Sequence, residues 1–239
     1  NFLQDAVQTQ ANTALSLAAE QVAKQLDNFI ETNLTDIENQ ASLSVFREFL
    51  NAATLGPTQG TEQEDSLLGI LKTLRTGTGE YLPSYQILNP LGYVVYDTNP
   101  AEIGKRMHRE IYFLTPRSTD STSFTPVSFN EETGDSYIYF SAPIKNERLV
   151  SIGVLAIRYD AMVLQSILEQ FTGSVGTRTY PILLDENFIR LADTITPNNI
   201  HKSVVPLQET TITTLQENKF LPKLALENLS TNLPEFFAA

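Results

Sequence analysis

His108 and His201 are the only histidines in the sequence, and the chain has no cysteine. That leaves few routes to covalent chemistry. Thiolate nucleophiles, disulfide frameworks and Cys-ligated metal centres are excluded. The hydroxyls between Ser118 and Ser123 come with no recognisable His base and Asp orienter. The acidic run Asp185-Glu186-Asn187 lacks EF-hand spacing and reads as a hairpin turn. The two histidines are far apart in sequence, so each reads as a surface or capping residue rather than as part of a metal-ligand cluster. His108, between Arg106 and Arg109, has pH sensing as its alternative role. No Gly-rich phosphate loop is present. We expect no catalytic residue, no metal, no cofactor and no enzymatic activity.

What remains are groups suited to binding. Arg158 lies near the end of the apolar run Ile152-Gly153-Val154-Leu155-Ala156-Ile157. By period-two alternation it shares a face with Ile152, Val154 and Ala156. A guanidinium there grips a carboxylate through two parallel hydrogen bonds, or it pairs with a structural acid such as Asp97 or Glu110. Tyr137, Tyr139 and Ser141 alternate onto one face of their own strand, where tyrosines serve either packing or contact.

The elements that must position these groups are legible in the hydrophobic pattern. Apolar residues at Leu15, Ala18, Val22, Leu26, Ile30, Leu34, Ile37, Ala41 and Val45 step by three and four. This predicts one long helix across the first fifty residues, unbroken because no Gly or Pro precedes Gly56. Gly56-Pro57-Thr58-Gln59-Gly60 marks a turn, and a second helix is predicted from Gln63 to Leu74, before Gly77 and Gly79. The period then changes. Tyr85–Leu88 and Tyr93–Tyr96 read as a hairpin about Asn89-Pro90-Leu91-Gly92. A short helix over Arg109–Leu114 follows, then a loop from Thr115 to Thr125. A meander comes next, over Pro126–Phe129, Tyr137–Ile144 and Leu149–Tyr159. Asp160 is placed to cap a helix running to Phe171.

After Gly173–Gly176 the hairpin plan returns. Tyr180-Pro181-Ile182-Leu183-Leu184-Asp185-Glu186-Asn187-Phe188-Ile189-Arg190-Leu191 parallels Tyr85–Tyr96, and with one added residue Asp193-Thr194 matches Asp97-Thr98. Such an internal repeat outweighs any single motif. No full meander follows the second copy, so it is expected to be smaller or incomplete.

The formal net charge is −12, from 16 basic and 28 acidic residues. Nucleic acid is excluded as a partner, because phosphate contacts need clustered Lys and Arg. No apolar run approaches the roughly 20 residues of a membrane helix. The first residue is Asn rather than Met, so the chain is expected to be excised from a longer one.

The order of these pieces resembles the double Cache sensor domains of bacterial transmembrane receptors. The residues that carry the likeness are the long helix, the hairpin Ile-Leu-Asn-Pro-Leu-Gly-Tyr-Val-Val-Tyr-Asp-Thr, Tyr112-Phe113, Thr133-Gly134-Asp135, Tyr139-Phe140-Ser141-Ala142-Pro143-Ile144 and Ile152-Gly153-Val154-Leu155. Among such receptors it looks most like the sensor kinases and cyclases of cyanobacteria. The resemblance implies an α+β fold: a long N-terminal helix (1–55) with two stacked PAS-like modules on antiparallel sheets. The membrane-distal module would span 56–172 and the membrane-proximal one, smaller or incomplete, 173–239. It also implies an extracytoplasmic position between membrane helices, a small-molecule ligand in the distal module and an output domain elsewhere in the parent chain.

Amino-acid-binding members of that family carry an Arg and aromatics on the short helix, a Tyr before the Gly-containing turn and an Asp at the end of the last strand. Tyr112 and Phe113 match the aromatics. The Arg position falls on Glu110, beside Arg109. The Tyr position falls near Val127, and the Asp position is Arg158. A cation in that place repels an ammonium and attracts an anion. The expected ligand is therefore an anion such as a small carboxylate rather than an α-amino acid, held among Arg109, Tyr112, Phe113, Tyr139, Ser141 and Arg158. The alternative is a structural module with no direct ligand, dimerising through the N-terminal helix. Bulky side chains filling the space between Tyr112 and Arg158 would favour it.

Overall fold

A computed structural model describes residues 2–55, 60–75, 84–131, 133–224 and 228–233. The turn expected at Gly56–Gln59 and the glycines Gly77 and Gly79 lie outside them. Among the described residues no helix is long and apolar enough to cross a membrane. The chain forms two compact units that share segments in alternation. One, the sheet unit, holds residues 30–126 and 137–160; the other, the hairpin unit, holds 1–29, 127–136 and 161–239.

The elements, in chain order, begin with helices α1 (Phe2–Ala41), α2 (Ser44–Leu55) and α3 (Glu62–Leu74), followed by strands β1 (Ser84–Leu88) and β2 (Val94–Asp97). Helix α4 (Ile111–Thr119) and strands β3 (Ser123–Phe124), β4 (Ser128–Phe129), β5 (Ser136–Lys145) and β6 (Ser151–Asp160) come next. Helix α5 (Met162–Glu169), strands β7 (Ile182–Leu184) and β8 (Arg190–Asp193) and helix α6 (Glu209–Glu217) complete the chain. The architecture is α+β with a long N-terminal helix and antiparallel sheets, as expected.

The stripe of threes and fours is real: Ala18, Val22, Leu26, Ile30 and Leu34 are half-buried, and Ile37 and Ala41 are buried. Leu15, placed on the same stripe, stays 46% exposed. The single fifty-residue helix is corrected. It stops at Ala41 and restarts at Ser44, with no Gly or Pro involved. The Ser42 hydroxyl donates back to the Asn39 carbonyl at 2.6 Å, and the Leu43 N–H reaches Gln40 O in a tighter turn. Such local side-chain bonding competes with the helical ladder. The restart re-aims the chain, so Phe46, Phe49 and Leu50 are buried while Val45 is only half-buried. Each fully buried Phe contributes on the order of 1.5–3 kcal/mol. At α3, Thr61 accepts the Glu64 N–H, and Glu62, Glu64 and Asp65 sit at the positive helix end.

The sheet of the sheet unit runs β2-β1-β6-β5-β3, all antiparallel. One face carries Tyr85, Ile87, Phe140, Ala142, Ile144, Leu155 and Ile157, all buried. It meets α2, with Phe49 edge-on to Tyr96 at 6.1 Å. Gly153 permits that approach, since a Cβ there would lie 2.4 Å from Leu88 O and 2.6 Å from Leu50 Cδ1. The opposite face carries Leu88, Val154 and Ala156 and is covered by α4.

Three expectations move. Tyr112 and Phe113 open the short helix rather than end it, because it spans Ile111–Thr119. The expected loop 115–125 therefore holds the end of α4 and strand β3. Asp160 is the last residue of β6, and α5 is capped by Ala161 without a side-chain bond.

The repeated hairpin is reproduced bond for bond. Asn89 Oδ1 accepts from the N–H groups of Leu91 and Tyr93; Asp185 Oδ1 accepts from those of Asn187 and Ile189. Gly92 (φ 78°) corresponds to Phe188 (φ 60°), and Gly104 (φ 86°) to His201 (φ 66°). The Gly104 N–H donates to Val94 O, and the His201 N–H to Arg190 O. A single turn of 3-10 helix follows each copy, over Pro100–Glu102 and Pro197–Asn199. Among the described residues the second copy's sheet is β7-β8 alone.

Candidate functional site

The best-defined layer of mixed chemistry lies between α4 and the sheet. Leu88 of β1, Val94 of β2, Val154 and Ala156 of β6 and Tyr112 and Phe113 of α4 form one buried apolar cluster, with Met107 and Tyr139 packed against it. Tyr112 lies flat on Tyr139, with ring centres 4.2 Å apart and planes 6° from parallel. Offset stacking of this kind adds about 0.5–1.5 kcal/mol beyond area burial. Arg117 holds α4 down: it sits 5.4 Å over the Phe113 ring and donates to the Pro90 carbonyl.

Arg158 is the polar end of this layer. Strand pairing sets it opposite Tyr139 on β5 and Ser84 on β1. Its guanidinium stands 4.8 Å from the centre of the Tyr137 ring, a cation–π contact. Burial alone would make the cation easier to deprotonate, but Tyr139, Asp97 and Tyr137 outweigh it and hold the Arg158 pKa above its ordinary value. Burial pushes the Tyr139 hydroxyl up to about 12 against the pull of Arg158, and burial drives Tyr112 upward as well. All three groups keep their neutral-pH charge states.

The sequence-predicted residues are only partly gathered. Tyr112, Phe113, Tyr139 and Arg158 meet as described. Ser141 shares their face, opposite Ala156, and is fully buried, but its hydroxyl is 3.1 Å from that of Ser123. Arg109 is exposed in the turn before α4. Arg106 lies over Tyr93 at 5.4 Å. These two arginines share no partner with Arg158 among the described contacts.

Two residues of the layer were not on the predicted site. Gln86 and Asp97 face each other across β1 and β2, and Gln86 also pairs with Ala156 of the cluster. Their side chains are 6% and 4% exposed. Gln86 Nε2 donates to Asp97 Oδ2 at 2.8 Å, and the Asn99 N–H donates to Asp97 Oδ1 at 2.6 Å. Burial nevertheless holds the Asp97 pKa above the usual carboxylate value, against those two bonds and the field of Arg158. A Gln inside Tyr85-Gln86-Ile87-Leu88 was the available signal: a polar residue on a strand face that is otherwise apolar needs a partner. In the sequence Asp97 reads only as a structural counter-charge for Arg158.

The remaining chemistry-bearing residues belong to turns and packing. Asp185 is occupied by its hairpin turn. His201 is half-buried rather than a surface residue, 2.6 Å from the Ser136 hydroxyl and edge-on to Phe129, and burial lowers its pKa. His108 backs the first hairpin, where a Cβ on Gly92 would lie 2.8 Å from its Cα.

The family model for the Cache domain matches residues 1–221 of the chain. No curated sequence matches it. Among solved structures, the sensor domain of the histidine kinase DctB from V. cholerae superposes with a TM-score of 0.71 at 12% identity, covering 94% of this chain and 81% of that one. The ligand-binding domain of the Pseudomonas fluorescens chemoreceptor CtaA, in complex with L-leucine, gives 0.57 at 16%, covering 88% and 79%. That of the Pseudomonas aeruginosa chemoreceptor PctC, in complex with GABA, gives 0.53 at 17%, covering 80% and 78%. At such identities the likeness is one of fold.

Proposed function

The chain belongs to the Cache domain family, and on that premise we propose that it is the extracytoplasmic input domain of a membrane-anchored signal-transduction receptor. Cache sensor domains are signal-input modules without catalytic chemistry of their own. The ligand is a small molecule bearing a carboxylate, seated between α4 and the sheet of the sheet unit. The observation that carries this reading is Arg158, a half-buried cation at the edge of an apolar, aromatic layer. A guanidinium held there against Tyr137 is fixed in direction, so its paired N–H donors are pre-set for a planar anion. L-leucine and GABA, carried by two of the solved structures, each have a carboxylate. Tyr112, Phe113 and Tyr139 form the apolar wall, and Arg109 belongs to the rim. Binding separates Tyr112 from Tyr139 and moves α4, which biases the conformation passed to the output domain.

Thermal-shift and calorimetric titration with monocarboxylates, dicarboxylates and amino acids tests this. At least one carboxylate should stabilise the protein, and Arg158→Met should abolish that response while the unliganded melting temperature changes little. A panel in which nothing binds, or an Arg158→Met protein that responds like the parent, defeats the reading.

The stacked Tyr112 and Tyr139 rings support a second reading, because they fill the space between α4 and the sheet. On this reading the unit is a structural module that dimerises through α1 and takes no ligand. Sedimentation would then show a ligand-independent dimer, and Tyr112→Ala would destabilise the fold without changing any binding.

A further inference from the structure

We propose that the hairpin unit carries a binding site of its own, a cleft in which His201 and Lys202 receive the carboxylate of a small molecule with an apolar or aromatic body. The site lies wholly within that unit and does not depend on the reading of the α4 layer.

The two copies of the hairpin treat one backbone position differently. In the first copy the residue whose N–H returns to the second strand is Gly104, with a φ of 86°; in the second it is His201, with a φ of 66°. A left-handed backbone suits glycine and strains a residue with a Cβ. Only the backbone bond is common to both copies, and glycine makes it equally well. An imidazole kept there against strain points to a task for the side chain.

The ring is held from one side. Its Nε2 is 2.6 Å from the Ser136 hydroxyl, and Phe129 stands edge-on with ring centres 5.1 Å apart. The other nitrogen, Nδ1, has no hydrogen-bond partner among the described residues and is not sealed from solvent. Nδ1 of His108, in contrast, is unpaired but enclosed. With the Ser136 hydroxyl donating to Nε2, a neutral His201 carries its proton on Nδ1 and offers it as a donor.

His201 borders a cleft of about 470 Å³ whose lining includes Phe129, Glu131, Lys202, Lys223 and Leu224. That volume is in the range of small-molecule sites. Phe129 and the half-exposed Leu224 supply apolar walls. Lys202 supplies charge. Its ammonium has one partner, the Asn199 side-chain oxygen at 3.5 Å, and meets no carboxylate among the described residues. Its backbone is fixed on both sides: the N–H donates to Asn199 O, and the carbonyl accepts from the N–H and Nη1 of Arg190. Lys223 and Glu131 pair at 3.2 Å, both exposed, in a contact that solvent screens and that yields readily. The cleft therefore carries net positive charge in a chain whose net charge is −12. A directed N–H and an ammonium beside apolar walls match a carboxylate on an apolar body rather than a cation or a sugar. Burial lowers the His201 pKa and keeps the ring neutral near pH 7. An anion at Nδ1 favours the protonated ring, so binding tightens as pH falls. Among the described residues the charged groups on this cleft are Lys202, Lys223 and Glu131; Ser136 and Phe129, which hold the ring, bring none.

NMR titration of the imidazole Cε1–H signals tests this, because the sequence holds only one other histidine. His201→Asn identifies the signal and keeps a left-handed backbone that Asn tolerates. The probes are benzoate and phenylacetate, with benzamide as the uncharged control. At least one carboxylate should move the His201 signal saturably and raise its titration midpoint, and it should bind about 3-fold or more tightly at pH 5.5 than at pH 7.5. Benzamide should leave the signal in place. Lys202→Ala should weaken the carboxylate about 5-fold or more, while Arg158→Met should leave its affinity unchanged. The inference fails if neither carboxylate moves the signal, if benzamide moves it as far, or if Lys202→Ala binds like the parent. It also fails if Arg158→Met abolishes the response, because the anion then sits in the α4 layer. Failure here leaves the reading of that layer intact, and failure of that reading leaves this site intact.

Discussion

Asp97 and Asp193 occupy equivalent places in two copies of one hairpin, each at the end of its second strand and each almost wholly buried. Burial works to raise the pKa of both. For Asp193 it is overcome. The N–H groups of Ile195 and Thr196 donate at 3.1 and 2.8 Å, the Thr196 hydroxyl at 2.7 Å, and Arg190 stands 3.2 Å away. Its pKa ends below the ordinary value, whereas that of Asp97 ends above it. Asp193 is a structural carboxylate with three hydrogen bonds and a guanidinium beside it. Asp97, in the same backbone setting, is left with capacity. The contrast teaches that a repeated motif conserves the backbone bonds of the turn, while the residue three before the acid, or across the strand from it, decides what the acid is for. Val94 stands where the second copy has Arg190.

The sharpest way to break this comparison is Asp193→Ala. It leaves the 2%-exposed Arg190 as a buried charge without its counter-ion, and we expect a loss of about 3–5 kcal/mol in urea denaturation. A loss below about 1 kcal/mol would mean that the pair does not hold the second hairpin. Gly92→Ala comes next. Gly92 combines a φ of 78° with a Cβ site within 3 Å of the His108 backbone, so roughly 2–4 kcal/mol of strain and overlap is expected. The second copy carries Phe188 at the matching point, so a tolerated alanine would show that His108 yields easily.

The pH dependence of stability separates the two acids by sign. Asp193 has a lowered folded pKa, so its stabilisation is complete above the ordinary value of 3.8 and disappears as pH falls through the lowered one. Asp97 has a raised folded pKa, so its ionisation costs nothing below 3.8 and costs most above the raised value. Denaturation midpoints of Asp193→Asn and Asp97→Asn, measured against the parent from pH 7 down to pH 3, should therefore converge on it from opposite sides. Convergence from one side would remove the distinction. Gly104→Ala is smaller, about 1 kcal/mol, because φ is 86° but nothing lies within 4 Å of the added methyl. The smallest effect is Asp97→Asn without ligand at neutral pH, a gain of less than about 1 kcal/mol by relief of a buried charge. A clear loss of stability would place Asp97 with Asp193 as a structural group.

Much of the fold was legible because its signals are local. Ile37 and Ala41 are buried where the three-and-four stripe put them, and the ends of α3, β5 and β6 fall within a few residues of their pattern. The hairpin repeat was readable from Asn89 and Asp185, whose side chains bond within four residues of themselves. Two misses have a common cause. The break at Ser42–Leu43 depends on a side-chain bond to Asn39 and on the burial of Phe46 and Phe49, which no helix-breaking residue announces. Asp160 looks like a cap but is taken into the β6 ladder opposite Tyr137.

The candidate site was less legible. Alternation correctly placed Arg158 on the face of Val154 and Ala156, and Tyr139 on the face of Ser141. It could not show that Ser141 is already bonded to Ser123, eighteen residues away, or that Tyr112 from α4 lies flat on Tyr139. By itself the sequence determined periodicity, charge and the hairpin repeat, because each depends on residue type and spacing within a few positions. Only the tertiary structure decided which polar groups are satisfied. Asp97 and Asp193 read alike in sequence, and the partners of Asp193 all lie within three residues of it; folding decided that both acids are buried and that Asp97 faces the Gln86 amide across the strands and the field of Arg158, and in a buried site such partners set the state of the charge.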